Sequence, residues 1–208
     1  MKVDFTMKYD LKAFKYHELA FIHKWILSKF NGVIKALNHH FENYEFGEAA
    51  NKFYAFWIYE FCDVYVEAVK NILYGSDLKE LETTNLILLT ILEDGLKLLH
   101  PMMPFLTEEL YQKLPFTLSK SDSITIASYP IENEEYINKD IENQFDELFV
   151  MVKTIRSLMS SVNLPSSVKP KVFVLFLNED VKHRELIQNN QKTVVTLAKL
   201  SEVFIFMI

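Results

Sequence analysis

FGEAANKFYAFWIYEFCDVYVEAVK, residues 46–70, decides the fold. Phe46, Ala50, Phe53, Trp57, Phe61, Val64 and Ala68 recur every three or four residues, which gathers them on one side of a 3.6-residue helix. One long amphipathic helix is expected, with that aromatic side buried. Glu45, Glu48, Lys52, Asp63, Glu67 and Lys70 form a second stripe that can stay in water. A stripe of this kind is ordinarily core, so periodicity alone yields a bundle helix and no function.

The neighbouring stretches supply the partners. Upstream, Leu19, Ile22, Ile26, Phe30, Val33 and Leu37 mark a helix over 17–41, with Trp25 packing and Lys24, Lys29 and Lys35 projecting elsewhere. His39 and His40 are adjacent, so their side chains diverge by about 100° on a helix and make a poor metal pair. Downstream, Gly75 is expected to take the left-handed turn after a helix, and Asp77 with Glu80 has the spacing of a capping box. Residues 78–99 then read as a third long helix that directs Leu81, Asn85, Leu88, Ile91, Leu92, Gly95 and Leu99 to the bundle, with Gly95 permitting close helix contact. Pro101 and Pro104 impose a break, and Pro104 suits the first turn of a short helix to residue 114. His100 has no nucleophile or carboxylate arranged with it in a recognisable motif, so its role at this joint is architectural. Residues 115–130 connect the bundle to the C-terminal third of the chain, and Glu132, Glu134 and Glu135 suit a solvated linker. A further helix over 140–162 carries Ile141, Phe145, Leu148, Val152, Ile155 and Met159, and Asn163 and Pro165 close it. The last segment changes character: strand-like runs at 172–177 and 203–207 enclose two short helices over 181–190 and 193–200. The expected fold is mainly α, a helical bundle over 1–165 followed by a small strand-helix-helix-strand α/β appendage over 166–208.

Composition bounds the chemistry. The 208 residues are half hydrophobic, enough for a substantial core, and no apolar run approaches the ~20 residues of a membrane span. The start, MKVDFTMKYD, has neither an apolar signal core nor the Arg and Ser bias of a transit peptide, so a cytosolic setting without membrane partners is expected. Cys62 is the only cysteine, which excludes an intrachain disulfide and a cysteine zinc cluster. Four glycines leave little material for a phosphate-cradling loop. The net charge of -6 is unevenly spread: residues 1–35 carry +4, residues 36–150 carry -14 and residues 151–208 carry +4. The two basic ends are the candidate sides for a polyanion.

Five stretches carry a resemblance to a known family. Glu60-Phe61-Cys62-Asp63-Val64-Tyr65-Val66-Glu67 resembles the E-[FL]-C-D-x-Y-[LV]-E segment in the anticodon-binding domain of valyl-tRNA synthetases. Leu99-His100-Pro101-Met102-Met103-Pro104-Phe105-Leu106-Thr107-Glu108-Glu109-Leu110-Tyr111 resembles the L-H-P-x-M-P-F-x-T-E-E-L-[WY] signature of the class I synthetases for valine, isoleucine and leucine. Trp25-Ile26-Leu27-Ser28 with Asn31 resembles the helix that opens the same domain, and Ser123-Ile124-Thr125-Ile126-Ala127-Ser128-Tyr129-Pro130 resembles an extended piece that returns across its bundle. Ile155-Arg156-Ser157-Leu158 resembles the family's I-R-x-[IL]-R-x-E stretch, but Met159 and Ser161 replace its second Arg and its Glu.

The resemblance implies the C-terminal tRNA-binding part of a cytosolic-type valyl-tRNA synthetase, whose partners are the valine tRNA, tRNA(Val), and the catalytic and editing domains of the same enzyme. The family's H-x-G-H and K-M-S-K-S motifs are absent, so this chain alone is expected to be inactive and to hold no cofactor, with ATP used by the full-length enzyme. For RNA contact the charge distribution points to Lys24 and Lys29 on the basic N-terminal side and to Lys153 and Arg156 in the last third. The resemblance points to Phe5 as an anticodon-stacking residue and to Val66, which follows C-D-x-Y. Ordinary packing is the competing role for Phe5 and Val66, and a structural ion pair for Arg156. A synthetase-derived helical module that docks its acidic middle onto a protein is the alternative function. An independent hydrolase finds no acid, base or nucleophile arrangement to support it.

Overall fold

In the computed structural model, residues 16–115, 121–165, 168–176 and 181–207 are described; Phe5 lies outside them. Among these, α1 spans Phe21–Glu42, α2 Phe46–Ala55, α3 Glu67–Leu73, α4 Leu78–Leu99, α5 Pro104–Gln112 and α6 Lys139–Ser161. After them come β1 Lys171–Phe176, α7 Val181–Asn189, α8 Gln191–Ala198 and β2 Glu202–Met207. The fold is a mainly α bundle followed by a small α/β unit.

The deciding stretch is a continuous helical rod but not one α-helix. Between α2 and α3, Phe56–Val66 is wound as a π-helix, and the residues joining the three pieces stay in the right-handed helical region. Its i→i+5 hydrogen bonds widen the turn, so inward residues recur at intervals of five and four instead of four and three. Phe56, Phe61 and Tyr65 obey that spacing: Phe56 stacks on Phe61 at 6.3 Å and Phe61 on Tyr65 at 6.1 Å, and all three are buried. The simple 3.6-residue reading also misplaces the rod's outer end, within α2. Phe46 is 55% exposed and Ala50 is also exposed, whereas Ala49, Phe53, Phe56 and Tyr65 are buried.

Around this rod, α1 buries Ile22, Ile26, Phe30, Val33 and Leu37, and its Trp25 stacks on Phe145 of α6 at 3.9 Å. α6 contributes Phe145, Leu148, Val152 and Ile155 to the same core. α4 begins at Asp77, whose carboxylate accepts from the backbone N–H groups of Lys79 and Glu80 at 3.1 and 3.2 Å. Its buried set differs from the expected stripe, because α4 is covered by α1, α3 and α5 together. Thr83, Thr84, Leu86, Ile87, Thr90, Leu96 and Leu98 are inside, while Leu81, Asn85 and Leu92 are only partly covered. Gly95 is buried as expected, and a Cβ there would lie 2.5 Å from Cζ3 of Trp57.

Gly75 has no positive φ, which corrects the expected left-handed turn. Among the described residues the left-handed ones are Tyr44, Asn163 and Lys199, which follow α1, α6 and α8. Each closes its helix in the same way. At α1, the Glu45 N–H donates to the His40 carbonyl at 2.8 Å and the Tyr44 N–H to that of Phe41 at 3.2 Å.

At the joint, His100 Nδ1 lies 2.7 Å from the Thr107 hydroxyl, which itself donates to the Met103 carbonyl at 2.8 Å. The stretch expected to be extended at 123–130 contains a short 3-10 turn, Ile124–Ile126, stabilised by Ser123 accepting from the Thr125 N–H. β1 and β2 pair with each other in parallel, Lys171 opposite Glu202 through Phe176 opposite Met207. One face of this sheet joins the bundle core through Val172, Val174, Val203 and Ile205. The other exposes Phe173 and Phe206 beside Phe204, with ring centroids 5.1 to 6.5 Å apart.

Candidate nucleic-acid interface

Phosphate contact needs cations that are exposed and not already neutralised, so the partners of each candidate decide its role. Lys24 sits in the first turn of α1, donates to the His17 carbonyl at 2.8 Å and lies 6.0 Å from the centre of the Tyr16 ring. Lys29, one and a half turns on, is drawn inward. It is 3.1 Å from Glu60 of the π-helix and 3.9 Å from Glu142 of α6, with 21% of its side chain exposed. Burial works against its ammonium, yet Glu60, Asp146 and Glu142 together hold its pKa above the usual lysine value. Lys29 therefore ties three elements together.

Glu142 is the centre of that clip. It accepts from the Ser28 hydroxyl at 2.6 Å and from Lys139 at 2.8 Å. Burial opposes its charge, but these donors and Lys29 hold the carboxyl below its ordinary range. The linker is fastened to α1 nearby, where Asn31 Oδ1 accepts from the Asn133 N–H at 2.8 Å.

Val66 ends the π-helix, half-buried against the core. Lys153 and Arg156 lie one turn apart on the exposed side of α6. Lys153 Nζ is 4.7 Å from the centre of the Phe149 ring, and Arg156 Nε donates to the Leu197 carbonyl at 2.8 Å, fastening α6 to α8. Among the described residues the competing role for Arg156, a structural ion pair, gives way to this bond to a carbonyl. Apart from Lys139 at its start, α6 is charge-segregated along its length: Asp140, Glu142, Asp146 and Glu147 lie in its first half, Lys153 and Arg156 in its second. The structure thus brings Arg156 together with the end of α8, keeps Lys153 one turn back on α6 and leaves Lys24 and Lys29 on α1. Lys199 joins Arg156 at that corner, where both line a pocket of about 310 Å³. Sequence patterning gives no reason to single out Lys199, because only the left-handed turn closing α8 swings it there.

A larger cleft of about 1250 Å³ opens between the α3–α4 turn and α7 and α8. Asp77, Glu80, Glu147, Glu185 and Glu202 in its lining outnumber Lys182 and Lys192, which makes it unfavourable to phosphate. Cys62 is half-buried, and burial, then the Asp63 charge, push its thiol pKa up, away from nucleophilic character. Among the described residues no group of three His, Cys, Asp or Glu is placed to hold a metal, and no helix is long and apolar enough to cross a membrane.

Helical rods clamped by ionic clips, with cations displayed on the outer end of one helix, form a scaffold for binding. Residues 23–174 match the family described as the anticodon-binding domain of tRNA ligase, and the chain belongs to that family. Its similarity is further resolved by individual relatives. It is 38% identical to a valine–tRNA ligase of Clostridium perfringens over 89% of this chain and 20% of the relative. It is 36% identical to valine–tRNA ligases of Thermotoga maritima, over 93% of this chain and 21% of the relative, and of Listeria monocytogenes, over 87% and 21%. The chain spans about a fifth of the length of these relatives.

Proposed function

We propose that this polypeptide is the tRNA-binding portion of a valine–tRNA ligase, recognising the anticodon of tRNA(Val) while a catalytic domain outside it attaches valine using ATP. The observation that carries this reading is the similarity to valine–tRNA ligases along 87 to 93% of the chain, joined to an anticodon-binding fold. In this reading residues 1–165 are the anticodon-binding domain and 166–208 the appendage. The chain itself holds no cofactor, and the setting is the cytoplasm. Unpaired anticodon bases are held by stacking and edge hydrogen bonds while cations hold the backbone. Lys153 and Arg156 are the backbone cations best supported by their exposure. Phe5, Lys24 and Val66 remain assigned to the interface, and Lys29 serves it indirectly by fixing the π-helix against α1 and α6.

The apolar surface supports the same reading. Phe105 is 91% exposed on α5, with Leu106 and Leu110 at 44% and 42%, and the sheet exposes Phe173 and Phe206. Surface of this kind suits coverage by the catalytic and editing parts of a longer polypeptide. Titrating a valine tRNA transcript into the 208-residue chain at several salt concentrations tests the proposal. Binding that weakens steadily as salt rises is expected; absence of binding at low salt contradicts it.

A further inference from the structure

We propose that the corner where α6 and α8 end is a seat for a phosphodiester of an RNA backbone, with Arg156 and Lys199 as its two cations. This rests on the RNA-binding reading above and adds a site to it. The pocket is lined by Arg156, Met159, Leu164, Pro165, Ala198 and Lys199, with no acidic residue among them. Its apolar walls reduce the screening that water would otherwise give the two charges. The Arg156 guanidinium is oriented by the bond from Nε to the Leu197 carbonyl, which leaves its two Nη groups to donate to an anion. Lys199 is exposed and makes no ion pair among the described residues. By contrast, Lys171 on the adjacent strand is paired with Glu202 at 3.2 Å.

The backbone at Lys199 makes the residue choice informative. Its φ of 56° and ψ of 46° are left-handed, held by the Lys199 N–H donating to the Thr196 carbonyl and the Leu200 N–H donating to that of Val195. Glycine takes this position most readily and asparagine next, as Asn163 does at the end of α6. A lysine there strains the turn and sets a charge beside Arg156. Lys153, one turn back along α6, extends the row of cations in the direction a strand with one charge per nucleotide would follow.

Labelled valine tRNA transcript is titrated against the full chain and the variants Lys199→Gly, Lys199→Arg and Arg156→Gln over a range of salt. Lys199→Gly is expected to weaken binding by roughly threefold to tenfold at low salt and to flatten the salt slope by about one. Its thermal midpoint should be unchanged or higher, because the turn is relieved, which separates lost contact from lost folding. Lys199→Arg should bind like the parent, and Arg156→Gln should share the loss. If the parent binds RNA while Lys199→Gly keeps its affinity and slope, the seat is refuted and the functional reading stands. If the parent binds no RNA, both fall. If millimolar inorganic phosphate alone saturates the pocket without competing with the transcript, the site is a free-anion pocket and the RNA assignment is overturned.

Discussion

Gly95 shows how a single missing methyl group sets the distance between two helices. The Trp57 indole lies over it, with Cζ3, Cη2 and Cε3 at 2.5, 3.2 and 3.4 Å from where a Cβ would stand. Gly95→Ala should therefore destabilise by roughly 1 to 3 kcal/mol through overpacking, despite alanine's better helix propensity. Urea denaturation measures this, and pairing the change with Trp57→Leu should recover part of the loss; a neutral or stabilised Gly95→Ala would mean the ring moves aside at no cost. The close contact is legible in the sequence because glycine inside an otherwise continuous helical pattern needs a reason. The partners of charged residues are not legible in that way. Lys29 and Arg156 look alike as lysine and arginine on amphipathic helices, yet Lys29 is folded into an ionic clip with Glu60 and Glu142 while Arg156 stands outside bonded to a carbonyl. Those fates depend on which side chains other elements deliver, and local periodicity carries no record of them.

Between elements, the π-helix is joined to α1 and α4 by a buried polar relay. His23, 1% exposed, has Nδ1 2.9 Å from the Tyr65 hydroxyl and Nε2 3.3 Å from Thr84 Oγ1. Thr84 donates to the Glu80 carbonyl at 2.7 Å, so its oxygen is available to accept from His23 Nε2–H, leaving Nδ1 to accept from Tyr65. The relay is thus satisfied with a neutral ring. Burial pushes the His23 pKa down to about 4 from its ordinary 6.5. The unfolded chain binds the proton more readily, so stability should be full above about pH 6.5 and fall as pH drops toward 4, by up to about 3 kcal/mol from this group. His23→Gln should flatten that part of the profile, as read by denaturation midpoints across pH; an unchanged slope would show that other groups set it.

The helices at 78–99 and 104–112 are readable close to the residue because Asp77 and Pro104 announce their starts, and the one at 139–161 is read one residue late at each end. The π-helix is not, since aromatic residues spaced by four and five also fit an irregular α-helical stripe. The buried face of α4 is misread for a related reason: a helix covered on several sides hides more than one stripe.

For the whole molecule, charge and apolar surface are both unevenly distributed. The basic last third, visible in the sequence, becomes an exposed corner of cations on α6 and α8, and the acidic middle becomes clips and a cleft that phosphate avoids. The domain's class is legible because its signatures fall at structural necessities. The proline joint at Pro101 and Pro104 sets two helices at an angle, and Glu60-Phe61-Cys62-Asp63 faces both the core and the Lys29 clip. The proposed seat at the α6–α8 corner is legible only in part, because Lys199 reaches it through a turn whose residue gives no warning of left-handedness. The most direct measurement of the central claim is competition between a valine tRNA transcript and the same transcript with its anticodon bases replaced, both against the 208-residue chain. Anticodon recognition predicts that the altered transcript competes roughly tenfold or more weakly, since each lost base contact is worth ~1 to 3 kcal/mol. Equal competition by the two transcripts would contradict it.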